Sequence, residues 1–395
     1  MRVRGRETVS EPHAGVLFLE ISDGLMKTAY PVRPEVIAFD PYSPGLSIDE
    51  IQKRFGLDSV VKMASNENPL GASPVVQSVI REHAGTVFRY VQAGNPALVE
   101  AIAAHHGVPP ERVVAGNGSD EVIDLLVRVC PTPGLHNVVA CKPCFSMYRI
   151  QSRLCGVEFR QTPLLEDFSF DWPGLLNAVD ENTALVFITT PDNPSGFCPP
   201  VKEVEAFAAA LPSTCLLVID EAYMDFCRDQ AAFSLLPSYD RFPNLVVLRT
   251  FSKSFGLAGI RLGYGIMPVA LADAVRGVHM PFSINILAEA AGIAALGDAV
   301  FYRATLEAVY SGRQYLSGEL TALGCRVFPS EANFLMFQLP ESCPYAASEA
   351  FERLLERGLI IRPLGSYGLP RHLRVSVGNA EENRFFISLL KEFLH

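Results

Sequence analysis

"NLVVLRTFS", residues 244–252, runs four apolar residues together before Arg249, Thr250 and Phe251 lead to Ser252. An unbroken Val/Leu run of this length, with no polar residue on alternate positions, reads as a strand buried on both faces. Three further stretches share the pattern: "NVVACKP" (137–143), "ALVFITTP" (184–191) and "CLLVIDEAY" (215–223). Each ends in polar, Gly or Pro residues. Amphipathic stretches lie between them, among them "SDEVIDLLVRVC" (119–130) and "KEVEAFAAAL" (202–211). Strand–helix alternation on this scale predicts crossover units and an α/β fold whose mainly parallel sheet is covered on both faces. In such sheets ligands bind beyond the carboxyl ends of the strands.

After "MPFSINILAEAAGIAAL" (280–296) the pattern changes. A long helical stretch over about 286–323 leads to "CRVFPSEANFLMFQL", a helix at "AASEAFERLLERG", then "LIIRPL", "HLRVSVG" and a closing helix "AEENRFFISLLKEFL". This predicts a smaller α+β domain. The expected organisation is a poorly ordered leader over 1–28, an arm over 29–72 packing with the small domain, a large domain over 73–283 and a small domain over 284–395.

The chain has 395 residues, 49% hydrophobic and 19% charged, enough to bury a substantial core. A net charge of −10 argues against a nucleic-acid surface as its main business. Nine cysteines lie singly, without the even framework of a secreted disulfide protein, which favours a reducing cytoplasm. Cys141 and Cys144 have redox or metal spacing, but there is no second pair, and no nearby histidine completes a tetrahedral site. They read as incidental thiols. No segment approaches the ~18 continuous apolar residues of a membrane span. "GVLFLEI" (15–21) is short, contains Glu20 and has no clear cleavage site, so it does not read as a signal peptide.

The chemistry-bearing residues fall at the ends of the expected strands. Asp220 ends "CLLVI", with Tyr223 three residues on; Asn193 lies in "TTPDNPSG"; Ser252 and Lys253 follow "VVLRTF"; and Arg261 comes among Gly256, Gly259, Gly263 and Gly265. "GNGSDE" (116–121) opens a helix. Each is weak alone. An Asp after a strand is commonly a helix cap, and "GNGSDE" could be a plain turn, although free N–H groups there also suit a phosphate. No G-x-G-x-x-G or G-x-x-x-x-G-K-[ST] follows a strand, and H-E-x-x-H and G-x-S-x-G are missing, so dinucleotide, P-loop, zinc-protease and serine-hydrolase readings fail.

Together these residues suit one cofactor, pyridoxal phosphate, which needs a lysine for a Schiff base and a carboxylate beside its pyridine nitrogen. Lys253 is then the covalent anchor and the acid/base, and Asp220 the pyridinium partner. Tyr223 and Asn193 can hydrogen-bond the ring hydroxyl. The amides at Ser119 and Asp120, the Ser252 hydroxyl and the Arg261 guanidinium form a phosphate cup.

From about Val32 to the C-terminus the chain resembles the fold-type I pyridoxal-phosphate aminotransferases, and most closely the histidinol-phosphate aminotransferases. "SKSFGLAGIRLGY" marks the superfamily, while "ASNENPLG", "DEAY" and "YGLPRHLRVSVG" point inside it. The resemblance implies the same roles for Lys253, Asp220, Tyr223, Asn193, Ser119, Asp120, Ser252 and Arg261. It also implies that Phe145 stacks on the cofactor and that Tyr90 reaches the phosphate of a neighbouring subunit, hence a homodimer with shared active sites. Arg374 and Arg362 would bind the substrate anion, with Tyr42 adding a contact; two guanidiniums suit a phosphate monoester and also glutamate's carboxylates. Cys144, Asp192 and Ser195 depart from the family's usual threonine, asparagine and threonine.

The activity so implied is ping-pong transamination from L-glutamate to imidazole-acetol phosphate, giving L-histidinol phosphate. An aromatic amino-acid aminotransferase and an amino-acid-phosphate decarboxylase on the same scaffold are the alternatives. A cofactor-binding regulator is disfavoured, because the N-terminal ~30 residues are too short for a helix-turn-helix.

Overall fold

The structure, a computed structural model, describes residues 20–22, 25–27, 30–37 and 45–394. Tyr42 lies outside the described residues. The described residues up to 37 belong to a unit of their own, with an antiparallel pair, Glu20–Ser22 and Leu25–Lys27, and a short helix, Pro34–Ile37. Residues 45–394 belong to a second compact unit.

In that unit a seven-stranded sheet runs, in spatial order, Val113–Gly116, Gly263–Ile266, Leu245–Thr250, Leu216–Asp220, Thr183–Thr189, Asn137–Lys142 and Glu158–Pro163. Gly263–Ile266 alone runs opposite to the other six strands of this sheet. The four strands expected from their continuous apolar runs are all present and central. Successive residues point to opposite faces, and each face has its own helices to bury against. Val186, Ile188, Leu217, Ile219 and Val247 meet one core with helices Pro96–His106 and Ile286–Gly297; Leu185, Phe187, Val218, Val246 and Leu248 meet the other with helix Ser119–Val129. A fold-type I aminotransferase architecture has this mainly parallel sheet between helices.

A second, four-stranded antiparallel sheet is ordered Arg326–Val327, Phe334–Gln338, His372–Ser376, Arg362–Pro363. Its core includes Phe334, Phe337, Leu373 and Val375, packed with Val309, Leu316 and Leu320 from helix Ala299–Ala322 and Phe386 from helix Ala380–Leu394. Val61–Lys62 pairs in parallel with Leu359–Ile360 beside it.

The single helical stretch expected over 286–323 is two helices, Ile286–Gly297 and Ala299–Ala322. Asp298 divides them: its carboxylate accepts from Phe301 N and caps the second helix. The first of these helices lies beyond the domain boundary expected at 283, yet it buries Ala288, Ala291 and Ala295 in the core of the large sheet. Small side chains allow that approach; a Cβ on Gly292 would sit 2.5 Å from Leu262 Cδ2.

One charge cluster is built into the large core. Arg249, one residue from the end of the buried strand Leu245–Thr250, pairs with Glu221 at 2.6 Å and Asp225 at 2.9 Å. Removing one member of a buried ion cluster strands the others without a counter-charge. Arg249→Met is therefore expected to lower stability by about 3–5 kcal/mol, measured from the urea unfolding midpoint; a change within about 1 kcal/mol would show that the cluster is dispensable.

Candidate active site

The carboxyl ends of Thr183–Thr189, Leu216–Asp220 and Leu245–Thr250 open onto a cavity of about 120 Å³. Lys253, Asp220, Tyr223 and Asn193 line it, together with Phe145 and the cup residues Ser119, Asp120, Ser252 and Arg261. Residues spread from 119 to 261 converge here because successive parallel crossovers return each strand end to the same edge.

Asp220, the last residue of its strand, is buried and has two protein donors. Tyr148 Oη donates to Oδ2 at 2.7 Å, and the Ala222 N–H to Oδ1 at 3.2 Å. Burial pushes its carboxyl up to about 6, while the Tyr148 bond works in the opposite sense. Tyr223 follows in the next turn; its hydroxyl accepts from Asn66 Nδ2 at 3.1 Å, and burial raises its pKa.

Lys253 sits in the loop after Leu245–Thr250. Its Nζ donates to Ser65 O at 3.2 Å and lies 5.8 Å from the centre of the Tyr223 ring. Burial first, and the Arg374 charge second, lower its pKa to about 8. Among the described residues no carboxylate pairs with this amine directly, so it can be a base near neutral pH.

The cup forms where helix Ser119–Val129 begins. Gly118 at its N-cap has φ +82° and no side chain to cap the helix; Glu121 N turns back to Gly118 O, which leaves the N–H groups of Ser119 and Asp120 for an anion. A Cβ on Gly118 would meet Arg261 Nη2 at 2.5 Å, so glycine lets that guanidinium approach. Arg261 also pairs with Asp120 at 3.0 Å. Gly263 is constrained too: a Cβ there would lie 2.2 Å from Ser119 N. The glycines around Arg261 thus shape the cup rather than mark a loose loop. Its free N–H groups, a hydroxyl and a guanidinium fit a phosphate; with the amine and carboxylate opposite, the donor set fits pyridoxal phosphate.

Arg374, on His372–Ser376, reaches the same place. It donates through Nη1 to Asn193 Oδ1 and through Nη2 to Ala64 O at 2.9 Å, and its buried Nε has no partner among the described residues. Both acceptors are neutral, so its charge is not cancelled by either. Arg362 lies opposite Arg374 in the antiparallel register; neither lines the cavity itself, and Arg374 reaches it through the lining residue Asn193. Tyr90 is not brought to this cavity: it is 82% exposed and stacks on Phe282 with ring centres 4.7 Å apart.

Several contributors escaped the sequence reading. Thr189 and Thr250 line the cavity, Tyr148 lies behind Asp220, and Ala64, Ser65 and Asn66 supply acceptors and a donor. Tyr148 carried a signal, being three residues after Phe145 at a helix start; Asn66 stood inside the quoted "ASNENPLG". The departures have physical accounts. Asp192 is buried, with its carboxyl pushed up to about 6, and accepts from both Ser195 N (3.0 Å) and Ser195 Oγ (2.6 Å), so the two substitutions satisfy each other in the loop that carries Asn193. Burial pushes the Cys144 thiol up to about 12 and that of Cys141 up as well, leaving neither a ready thiolate.

The sequence pattern described as "Aminotransferase class I and II" matches residues 58–390. A histidinol-phosphate aminotransferase from Nitratidesulfovibrio vulgaris (strain Hildenborough) is 65% identical over 363 residues, covering 92% of this chain and 96% of the relative. Another from Oleidesulfovibrio alaskensis is 63% identical over 371 residues, covering 94% and 97%. The crystal structure of histidinol-phosphate aminotransferase from Sinorhizobium meliloti in complex with pyridoxal-5'-phosphate superimposes with a TM-score of 0.85 at 30% identity, covering 92% of this chain and 97% of that one. The chain belongs to the histidinol-phosphate aminotransferase family, within the class I and II aminotransferases. Membership of this family makes it a transferase of amino groups. Among the described residues no helix is long and apolar enough to cross a membrane.

The lowered Lys253 pKa has a direct consequence. Burial and Arg374 disfavour the ammonium, so the neutral amine predominates above about pH 8 rather than above the ordinary lysine value of 10.5. Trapping of Lys253 by an aldehyde and borohydride is expected to rise with pH through a midpoint near 8, and Arg374→Gln is expected to move that midpoint upward. Peptide mapping of the reduced adduct across pH checks both; a midpoint unchanged in the variant would remove Arg374 from the account.

Proposed function

We propose that this chain is a pyridoxal-phosphate-dependent histidinol-phosphate aminotransferase. It moves the amino group of L-glutamate to imidazole-acetol phosphate, giving 2-oxoglutarate and L-histidinol phosphate in histidine biosynthesis. The observation that carries the reading is one cavity in which a depressed-pKa lysine, a buried carboxylate and an anion cup lie beside an arginine that has no carboxylate partner among the described residues. Its 65% identity to a histidinol-phosphate aminotransferase supports the substrate.

The cofactor, when bound, supplies an electron sink for the bonding electrons released at the substrate's α-carbon. Lys253 Nζ would hold it covalently and, once free, take the proton from that carbon. Asp220 would hold the ring nitrogen, and Tyr223 and Asn193 the ring hydroxyl, with Phe145 against the ring. The cup at Ser119, Asp120, Ser252 and Arg261 would take its phosphate. Arg374 orients the substrate's anionic group, with Arg362 as the second cation, so that glutamate and the phosphate monoester can use one site in turn.

Tyr90, Phe88 and Phe282 form an exposed apolar face, which we assign to a second copy of the chain, with Tyr90 reaching the partner's phosphate cup. Nine free cysteines fit a reducing compartment, and the cytoplasm is the location proposed.

Steady-state assays separate the alternatives. Removing the phosphate from L-histidinol phosphate is expected to lower kcat/KM by about a hundredfold or more, since the buried Arg374 guanidinium is left without a counter-charge. A preference for phenylalanine would make the chain an aromatic aminotransferase, and CO2 release without 2-oxo-acid consumption would make it a decarboxylase. The shared site has its own test. Lys253→Ala and Tyr90→Ala homodimers are each expected to be impaired, and mixing their subunits to restore activity, because one site of each heterodimer then carries neither change. No restoration after verified subunit exchange would place Tyr90 outside the partner's site.

A further inference from the structure

We propose that Tyr148 is a positioning residue that keeps Asp220 an ionised acceptor for the cofactor's ring nitrogen, through the hydrogen bond from Tyr148 Oη to Asp220 Oδ2. The inference rests on the cofactor reading above and concerns a residue that never enters the cavity lining.

Tyr148 is fully buried. Its ring lies flat on Phe187, with centres 4.4 Å apart and planes 9° apart, and meets the Phe145 ring edge-on at 5.7 Å. A phenol in such surroundings is costly unless its hydroxyl is paired. Its partners are Asp220 Oδ2 and Thr189 Oγ1, each at 2.7 Å. An ionised carboxylate only accepts, so the Tyr148 proton points to Asp220, and the Thr189 hydroxyl must then donate to Tyr148 Oη. The result is a one-directional chain, Thr189 to Tyr148 to Asp220.

This chain opposes the rest of the surroundings. Burial favours the protonated carboxyl, and the charges of Asp120, from helix Ser119–Val129, and of Glu221, on the adjoining residue, add to that tendency. Tyr148 from helix Ser146–Leu154 and the Ala222 N–H are the donors that favour the ionised form. Lys253 and Arg261 line the same cavity from the segments after Leu245–Thr250. A protonated Asp220 would offer the ring nitrogen a hydrogen instead of accepting one. The phenol therefore bears on which partner carries the proton. Burial raises the pKa of Tyr148 itself, so it remains a donor across the working range. The helix start explains the placement: Phe145, the extended residue that precedes helix Ser146–Leu154, lines the cavity, and Tyr148 in the first turn lies behind it.

The test uses holoenzyme carrying cofactor labelled with 15N at the ring nitrogen. Tyr148→Phe keeps the ring stack and removes one hydrogen bond to a charged group. It is expected to lower kcat roughly tenfold to a hundredfold, with KM within about threefold. The ring-nitrogen resonance should move toward its unprotonated position at a pH where the unaltered protein is protonated. Tyr148→His, which retains a donor, should recover part of both effects. A Tyr148→Phe protein with an unchanged resonance overturns the proposal, even if its activity or Tm falls, because that pattern is packing alone. If Tyr148→Phe does not fold, Thr189→Val withdraws the donor to Tyr148 Oη and is expected to shift the resonance less, in the same direction; no shift there is equally fatal. Unaltered protein that takes up no cofactor would instead sink the cofactor reading, which keeps the two failures apart.

Discussion

A single buried guanidinium fixes the end of the sheet on which the chemistry is mounted. Arg249 bridges Glu221 and Asp225; Glu221 directly follows Asp220, and Asp225 comes two residues after Tyr223. Ser254, next to Lys253, donates to Asp225, while Glu221 also accepts from Ser234 Oγ and Leu235 N. Two segments distant in sequence are thereby locked in register. Burying three charges carries a desolvation cost, so the cluster is better understood as specifying one arrangement than as adding net stability. In a low-dielectric interior a displaced carboxylate has no water to turn to, and small slips of either segment are disfavoured.

That rigidity matters because the site works by opposed environments. Asp220 and Lys253 face one small cavity, yet burial drives both toward their neutral forms, the carboxyl up to about 6 and the amine down to about 8. A neutral amine is what nucleophilic capture and proton removal require, and burial supplies it with the Arg374 charge working in the same sense. An ionised carboxylate is what the ring nitrogen requires, and burial works against it. The protein meets the second demand with donors, Tyr148 and the Ala222 N–H, placed to the ångström. Geometry that exact is maintained only if the strand end cannot drift, which is the condition the Arg249 cluster imposes.

The parts of this arrangement legible in the sequence were those with periodic or local signatures. Continuous Val/Leu/Ile runs marked the four central strands, and their polar ends marked the cavity, because a parallel sheet brings its carboxyl ends together regardless of loop detail. Gly263–Ile266 was harder to see as a strand: its glycines are dictated by contacts with Ser119 N, Val122 and Leu248, which no local rule contains. Arg249 looked like the polar end of an apolar run, yet its partners lie on other segments. Tyr148 and Asn66 gain their meaning from hydrogen bonds spanning 72 and 157 residues. Long-range pairing of this kind leaves no spacing to read.

The segment around "ASNEN" shows how the two sheets come to act on one ligand site. Its backbone oxygens at Ala64 and Ser65 accept from Arg374 and Lys253, and Asn66 donates from its side chain to Tyr223. Asn66 also bonds Ser376, two residues beyond Arg374, and its carbonyl accepts from Asn333 at 3.0 Å. Asn66 holds φ +56°, a conformation asparagine tolerates better than most residues. The arginine of the small sheet and the lysine of the large one are thus referenced to three consecutive residues rather than to each other. Two mutually repelling cations can be held near one another only if something neutral fixes both, and backbone carbonyls do so without cancelling either charge. Placing those carbonyls on a segment that belongs to neither sheet lets each cation keep the charge state its task demands while sharing a common frame.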